Sequence, residues 1–216
     1  MRLAPEGWPF IRIALSLEIA LLIVGWAFPG WPTRILAAIG LALLAWQLVF
    51  FRDPERTGPR GDALVIAPAD GRVLRIVEVE EPMYLHGTAT RISIFMNIFN
   101  VHVNRYPVAG EVEIVHYNPG EFLVASEDKA SLVNEQSSTG ILCPRGQVLV
   151  RQIAGMVARR IVTDAEPGMV VRQGDRLGMI RFGSRVDVFL DSAVTVRVAE
   201  GQHVFAGETV IAEFAT

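Results

Sequence analysis

The chain has 216 residues and a formal net charge of −3, with a pI near 5.8, which excludes the electrostatic footprint of a nucleic-acid-binding protein. Hydrophobic residues make up 51% and mean hydropathy is +0.35, an excess concentrated at the N-terminus. Cys143 is the one cysteine, which excludes an internal disulfide framework and fits a reducing compartment.

Two apolar stretches come first. Phe10 to Phe28 carries Arg12 at its edge and Glu18 inside, whereas Ile35 to Phe51 is free of charge. The turn Pro29-Gly30-Trp31-Pro32-Thr33-Arg34 separates them. About 20 apolar residues cross a bilayer as a helix, so residues 1–51 are expected to form a helical membrane hairpin. Trp8, Trp26, Trp31 and Trp46 lie at or near segment ends, where interfacial anchors stand. Arg2, Arg52, Arg56 and Arg60 lie outside the hairpin, against Arg34 alone in its connection. The positive-inside bias then places both ends on the cytoplasmic side of the cell (inner) membrane. A cleaved signal peptide fits poorly, because a second apolar segment follows. Glu18 leaves a buried soluble hairpin as the alternative.

The polar, Pro- and Gly-rich segment from Phe51 to Gly61 marks the boundary to a second domain, residues 52–216. Beyond it come short β-branched runs broken by Gly and Pro: 71–79, 89–95, 110–115, 148–153, 186–190 and 194–198. Regular runs of this kind predict a mostly β fold, a barrel or sandwich of β-hairpins. Two internal echoes agree. Pro68-Ala-Asp-Gly-Arg-Val73 resembles Pro107-Val-Ala-Gly-Glu-Val112, and Val171-Arg-Gln-Gly-Asp-Arg-Leu-Gly178 resembles Val204-Phe-Ala-Gly-Glu-Thr-Val210. The second pair has the valine, turn glycine and acidic residue of biotinyl and lipoyl domains.

Conventional catalytic apparatus is missing from this domain. Lys129 is the single lysine among 20 basic residues and sits in Ser126-Glu127-Asp128-Lys129-Ala130, unlike a carrier-domain tip or a Schiff-base lysine. His86, His102, His116 and His203 are scattered, so no metal-ligand spacing is present. What remains is Gly183-Ser184, in Arg181-Phe182-Gly183-Ser184-Arg185-Val186-Asp187, with the serine opening the last 33 residues. A glycine lets the backbone bend so that the following Oγ can attack its carbonyl. The amide becomes an ester, β-elimination cuts the chain, and the serine ends as a pyruvoyl group. Its ketone serves as an electron sink without lysine or external cofactor. An ordinary Gly-Ser turn is the bland alternative.

Other segments give that bond a context. Phe50-Phe51-Arg52-Asp53-Pro54, Pro68-Ala69-Asp70-Gly71, Asn100-Val101-His102-Val103-Asn104-Arg105-Tyr106-Pro107-Val108-Ala109-Gly110, Asn134-Glu135 and Phe182-Gly183-Ser184-Arg185-Val186-Asp187 stand in this order. Together they resemble the phosphatidylserine decarboxylase family, in its short membrane-associated prokaryotic branch, over residues 50 to 190. The resemblance implies self-cleavage between Gly183 and Ser184 into a β subunit, 1–183, and an α subunit, 184–216, which remain together as a heterodimer. It further implies a pyruvoyl cofactor made from Ser184, phosphatidylserine as substrate and phosphatidylethanolamine as product. Longer relatives use an Asp-His-Ser arrangement for the cut, which maps onto Asp70, His102 and Ser184. In that arrangement His102 takes the Ser184 proton while Asp70 fixes its tautomer. Those relatives carry two histidines three residues apart, where this chain has His102 and then Arg105. Either His102 serves both cut and decarboxylation, or Arg105 has taken one role. Arg185 likewise replaces their usual threonine. Two other functions fit the residues: a pyruvoyl decarboxylase for a soluble amino acid, and a membrane-anchored β-hairpin adaptor with an uncut turn.

Overall fold

Two apolar runs of helix length, each with proline in its first turn, fold as helices α1 (Trp8–Ala27) and α2 (Trp31–Phe50). A computed structural model of the protein describes residues 2–120, 134–155, 160–181, 184–191 and 193–215. It divides into two compact units, Met1–Glu55 and Arg56–Thr216.

In the first unit, β1 (Arg2–Leu3) pairs antiparallel with β2 (Arg52–Asp53), which ties the start of α1 to the end of α2. Each helix has 20 residues, about 30 Å of rise and enough to cross a hydrocarbon core. Both are apolar enough for a membrane span. Their large side chains point outward, Leu17 being 62% and Trp26 87% exposed, the reverse of a helix packed in a soluble core. Ile11 and Phe50 are buried near the paired termini, and the one buried charged residue described in the helices is Glu18. It is buried at 3% exposure, against Gly40 of α2, where a side chain would collide with its carboxylate. Neither Glu18 oxygen has a hydrogen-bond partner.

The second unit is built of antiparallel strands: β3 (Leu64–Ile66), β4 (Gly71–Glu81), β5 (Gly87–Met96), β6 (Val103–Arg105), β7 (Gly110–Asn118), β8 (Gln136–Cys143), β9 (Gly146–Ala154) and β10 (Ile161–Thr163). They continue with β11 (Val170–Val171), β12 (Arg176–Ile180), β13 (Ser184–Asp191), β14 (Val194–Val196), β15 (His203–Val204) and β16 (Val210–Phe214). Among the described residues they form an eight-stranded sheet, β11-β7-β8-β9-β13-β5-β4-β15, and two three-stranded sheets, β10-β12-β6 and β14-β16-β3. The mostly β expectation is met, with a helical pair ahead of it. The predicted runs fall on β4, β5, β7, β9, β13 and β14. Strand β8 was not predicted from sequence, because its first half, Gln136-Ser-Ser-Thr, lacks the apolar alternation that signals a strand.

The pairings repeat. β3 pairs with β16 and β4 with β15; likewise β6 pairs with β12 and β7 with β11. The two sequence echoes coincide with this symmetry. Pro68 and Pro107 exchange equivalent bonds, Arg105 N–H donating to Pro68 O at 2.9 Å and Ile66 N–H to Pro107 O at 3.0 Å. Gly174 and Gly207, the turn glycines of the second echo, have φ of 89° and 74°, a conformation that costs a side-chain residue strain. Their N–H groups donate to Tyr106 O and Ala67 O respectively. The unit β6–β12 is thus inserted between β5 and β13 of a second, matching unit, β3–β5 with β13–β16. Residues 97–102 carry the chain into the inserted copy, and the outer copy resumes at β13.

The main core gathers on one face of the large sheet. It includes Val73, Ile92, Ile94, Met96, Val150, Ala154, Val186, Val188 and Leu190. A smaller cluster of Tyr84, Ala89, Leu149 and Phe189 packs on the opposite face.

Candidate active site

The crossing into the inserted copy leaves β5 after Met96, which stands opposite Ser184 at the start of β13. Ser184, its first residue, is fully buried. Its strand is pinned on both sides, Ser184 standing opposite Met96 of β5 and Ala154 of β9. By strand alternation its side chain shares a face with Val186 and Val188, on the main core. Ser184 Oγ donates to Met96 Sδ at 3.5 Å. A thioether is a weak acceptor, so no strong bond fixes the hydroxyl. Gly183, the other half of the expected cleavage site, lies outside the described residues, as do Phe182 and Lys129.

His102 stands at the end of that crossing and is fully buried. Its Nδ1 faces Ile180 O at 2.9 Å and its Nε2 faces Asn97 O at 3.0 Å. Asn97 follows Met96, the partner of Ser184, and Ile180 lies four residues before Ser184. The imidazole is therefore held by the two segments that frame the serine. A neutral imidazole has one N–H, whereas a protonated ring donates from both nitrogens. The neutral ring therefore donates to one of the two carbonyls, and Asn97 O also accepts from the Asn100 N–H at 3.1 Å.

Asp70 is also buried, at 4% exposure, but its hydrogen bonds go elsewhere. Arg56 Nη2 donates to both carboxylate oxygens, at 2.9 and 2.8 Å, and the Ala206 N–H donates to Oδ1 at 2.8 Å. Arg56 Nη1 also approaches Glu208 Oε1 at 3.4 Å. Asp70 thus fastens Arg56 and the Ala206 turn, while the orientation of His102 comes from Asn97 and Ile180. Arg105 Nη1 donates to Gly174 O at 3.1 Å, within the inserted copy of the repeat.

Several residues of the site carry no signal in the sequence. Asn104 of β6 is fully buried. Its Nδ2 lies 3.7 Å from Met96 Sδ, the atom that also receives Ser184 Oγ. Asn104 Oδ1 accepts from Gln152 Nε2 of β9 at 2.8 Å. A buried line therefore runs Gln152, Asn104, Met96, Ser184. Asn134 and Glu135, which sequence analysis took only as part of a resemblance, brace the partner strand. Asn134 Nδ2 donates to Ala154 O at 2.7 Å, Ala154 N–H donates to Glu135 O at 3.0 Å, and Glu135 Oε1 accepts from Tyr117 OH at 2.8 Å.

Arg185 points to the other face of the sheet, with Asp187. Their Nε–Oδ1 distance is 2.9 Å, but the aligned hydrogen bond is Nη2 to Oδ2 at 3.2 Å. Burial pushes the Asp187 carboxyl above its ordinary pKa, against the pull of Arg185, a Ser93 hydrogen bond, Arg91 and Arg151. Arg151 stacks over Phe189 at 4.7 Å and bridges to Glu81 at 3.2 Å. The residue after the serine thus belongs to a charged layer behind the strand.

Ser184 is thus a buried serine whose hydroxyl meets a thioether, and His102 is held by the segments that precede β13 and follow β5; a serine hydroxyl served by a base can attack a neighbouring carbonyl. A family model described as phosphatidylserine decarboxylase matches residues 43–212 of the chain.

Proposed function

The chain belongs to the phosphatidylserine decarboxylase family, whose members are decarboxylases of phospholipid biosynthesis, and on that premise we propose that it matures by cutting itself between Gly183 and Ser184 and then converts phosphatidylserine to phosphatidylethanolamine and CO2. The observation that carries this reading is the burial of Ser184 at the head of β13, its Oγ on Met96 Sδ, with His102 braced between Asn97 O and Ile180 O.

In the cut, Ser184 Oγ attacks the Gly183 carbonyl carbon and His102 takes its proton. The Asn97 and Ile180 carbonyls hold the ring, and the one that accepts its existing N–H gains strength as charge develops. Asp70 acts at one remove, holding Arg56 and the Ala206 turn in place. The products are the β subunit, 1–183, and the α subunit, 184–216. The α subunit stays bound through the pairing of β13 with β5 and β9. A pyruvoyl group at residue 184 supplies an electron sink for the charge left by loss of CO2. His102 then delivers a proton to the substrate carbon. The buried, partly apolar surroundings of residue 184 strengthen each of these electrostatic contacts.

The apolar helical pair suits a lipid substrate, since anchoring confines the search to the membrane plane. The arginine distribution puts both ends of the hairpin, and the catalytic unit, on the cytoplasmic side.

Mass spectrometry under denaturing conditions tests the reading. The wild type should give two fragments divided at Gly183, the smaller one bearing a ketone, and Ser184→Ala should give one intact chain. Vesicles containing phosphatidylserine should release CO2, and free serine should not. A folded wild-type chain that stays whole and unmodified would overturn the proposal.

A further inference from the structure

One face of the large sheet, beside Ser184, holds polar side chains that the proposed chemistry has not used. Ser137 of β8 stands directly opposite Gln152 of β9, and Gln152 stands opposite Val186 of β13. Ser184 is two residues from Val186, so by alternation all these side chains share one face. Thr139 follows on the same face of β8. Ser137, Thr139 and Gln152 are no more than 1% exposed. Ser137 Oγ, Thr139 Oγ1 and Gln152 Oε1 have no hydrogen-bond partner among the described residues. Buried polar atoms are almost always paired, and each exception calls for a reason. Here three fall together on neighbouring strands, and the amide of one is linked through Asn104 and Met96 to Ser184.

We infer that Ser137, Thr139 and Gln152 form a water site that supplies the hydrolytic step of maturation at residue 184. The inference rests on the self-cleavage proposed above. Attack of Ser184 Oγ on the Gly183 carbon breaks the peptide C–N bond and leaves an ester and a free amino group on residue 184. Loss of the Cα proton then breaks the Cβ–Oγ bond, and its electron pair leaves with the Gly183 carboxylate. Residue 184 is left with a carbon–carbon double bond and its amino nitrogen. Protonation at Cβ turns this into a C=N group. Conversion to a ketone requires one water to add at Cα and one ammonia to leave; no oxidant or reductant enters.

Ser184 is fully buried, so that water must be held inside the fold. The three side chains match its needs. Buried waters make about three hydrogen bonds. Here the Gln152 carbonyl accepts from the water, and the two hydroxyls can each donate to it or accept from it. The same account explains the polar Ser137 and Thr139 on the buried face of β8, while Ser138 on the other face bonds Arg151.

Ser137→Ala and Gln152→Leu separate this step from the cut. Maturation is followed in time, with a borohydride quench before denaturation, so that a C=N residue is trapped as alanyl and a ketone as lactoyl. Ser137→Ala should cut at the wild-type rate, and in both variants the cut chain should form ketone about tenfold more slowly, as expected for loss of one hydrogen bond to the reacting water. The alanyl fragment should accumulate in proportion. Ser137→Ala removes a hydroxyl without a partner among the described residues, so it should keep the wild-type melting temperature and decide the case even if Gln152→Leu fails to fold. Wild-type rates of ketone formation in a cut Ser137→Ala chain would overturn the water site alone. A wild type that never cuts would overturn the maturation reading beneath it.

Discussion

Ser184 and His102 were legible as residues because Gly-Ser and the Asn100 to Gly110 segment are contiguous in the chain. Their environment was not. His102 bonds Ile180 across 78 positions and Ser184 bonds Met96 across 88, and no local pattern encodes such pairings. For the same reason Asp70 was expected beside His102 and is found bonded to Arg56 and Ala206. Burial of single residues also sets the pH response. Burial pushes the Tyr106 phenol up to about 12, with Asp164 and Asp175 adding to the shift, and burial likewise raises the Cys143 thiol. Both groups keep their protons in the fold at a pH where the unfolded chain has lost them. The unfolded state then binds fewer protons, so stability falls as pH rises above the ordinary thiol value and on toward 12. Denaturant midpoints should show Tyr106 contributing a loss of about 1 kcal/mol by pH 11, and Tyr106→Phe should remove that part of the slope.

At the scale of elements, the helices α1 and α2 were readable from apolar length alone, and β4, β5, β9 and β13 from β-branched runs. Strand β8 was hidden because its buried face is polar, and a polar buried face is recognisable only when its neighbours are known. Strand β13 has the most to do in the proposed reaction. It is the central partner of both β5 and β9, and the following β14, β15 and β16 pair among themselves and with β3 and β4. A cut at its head leaves these ladders intact. The 184–216 fragment should therefore co-elute with 1–183 in native size-exclusion chromatography and separate only in denaturant. Fragments that part without denaturant would mean that the ladders do not survive the cut.

The whole molecule joins a helical pair to a β unit in which one copy of a strand pattern is inserted into another. Each unit has strand pairings of its own, β1 with β2 in the first and the three sheets in the second. Deleting residues 1–55 should therefore leave a chain that still cuts itself but no longer sediments with phosphatidylserine vesicles, whereas the full chain sediments; retained sedimentation would place lipid binding on the β unit instead. The internal echoes around Pro68 and Pro107, and around Gly174 and Gly207, announced repetition in the sequence, but not that one copy interrupts the other. That insertion puts His102 on the way into the inner copy, bonded to Asn97 and Ile180, and Ser184 at the start of the strand that resumes the outer one. What the sequence determined by itself was local: apolar length for the hairpin, alternation for the strands, and a glycine before a serine at the bond expected to break. The tertiary structure alone decided which carbonyls face His102, where Asp70 is spent, and which polar side chains gather beside Ser184. Those depend on strand register between distant segments, and register is set by the packing of a whole face rather than by any one run of residues.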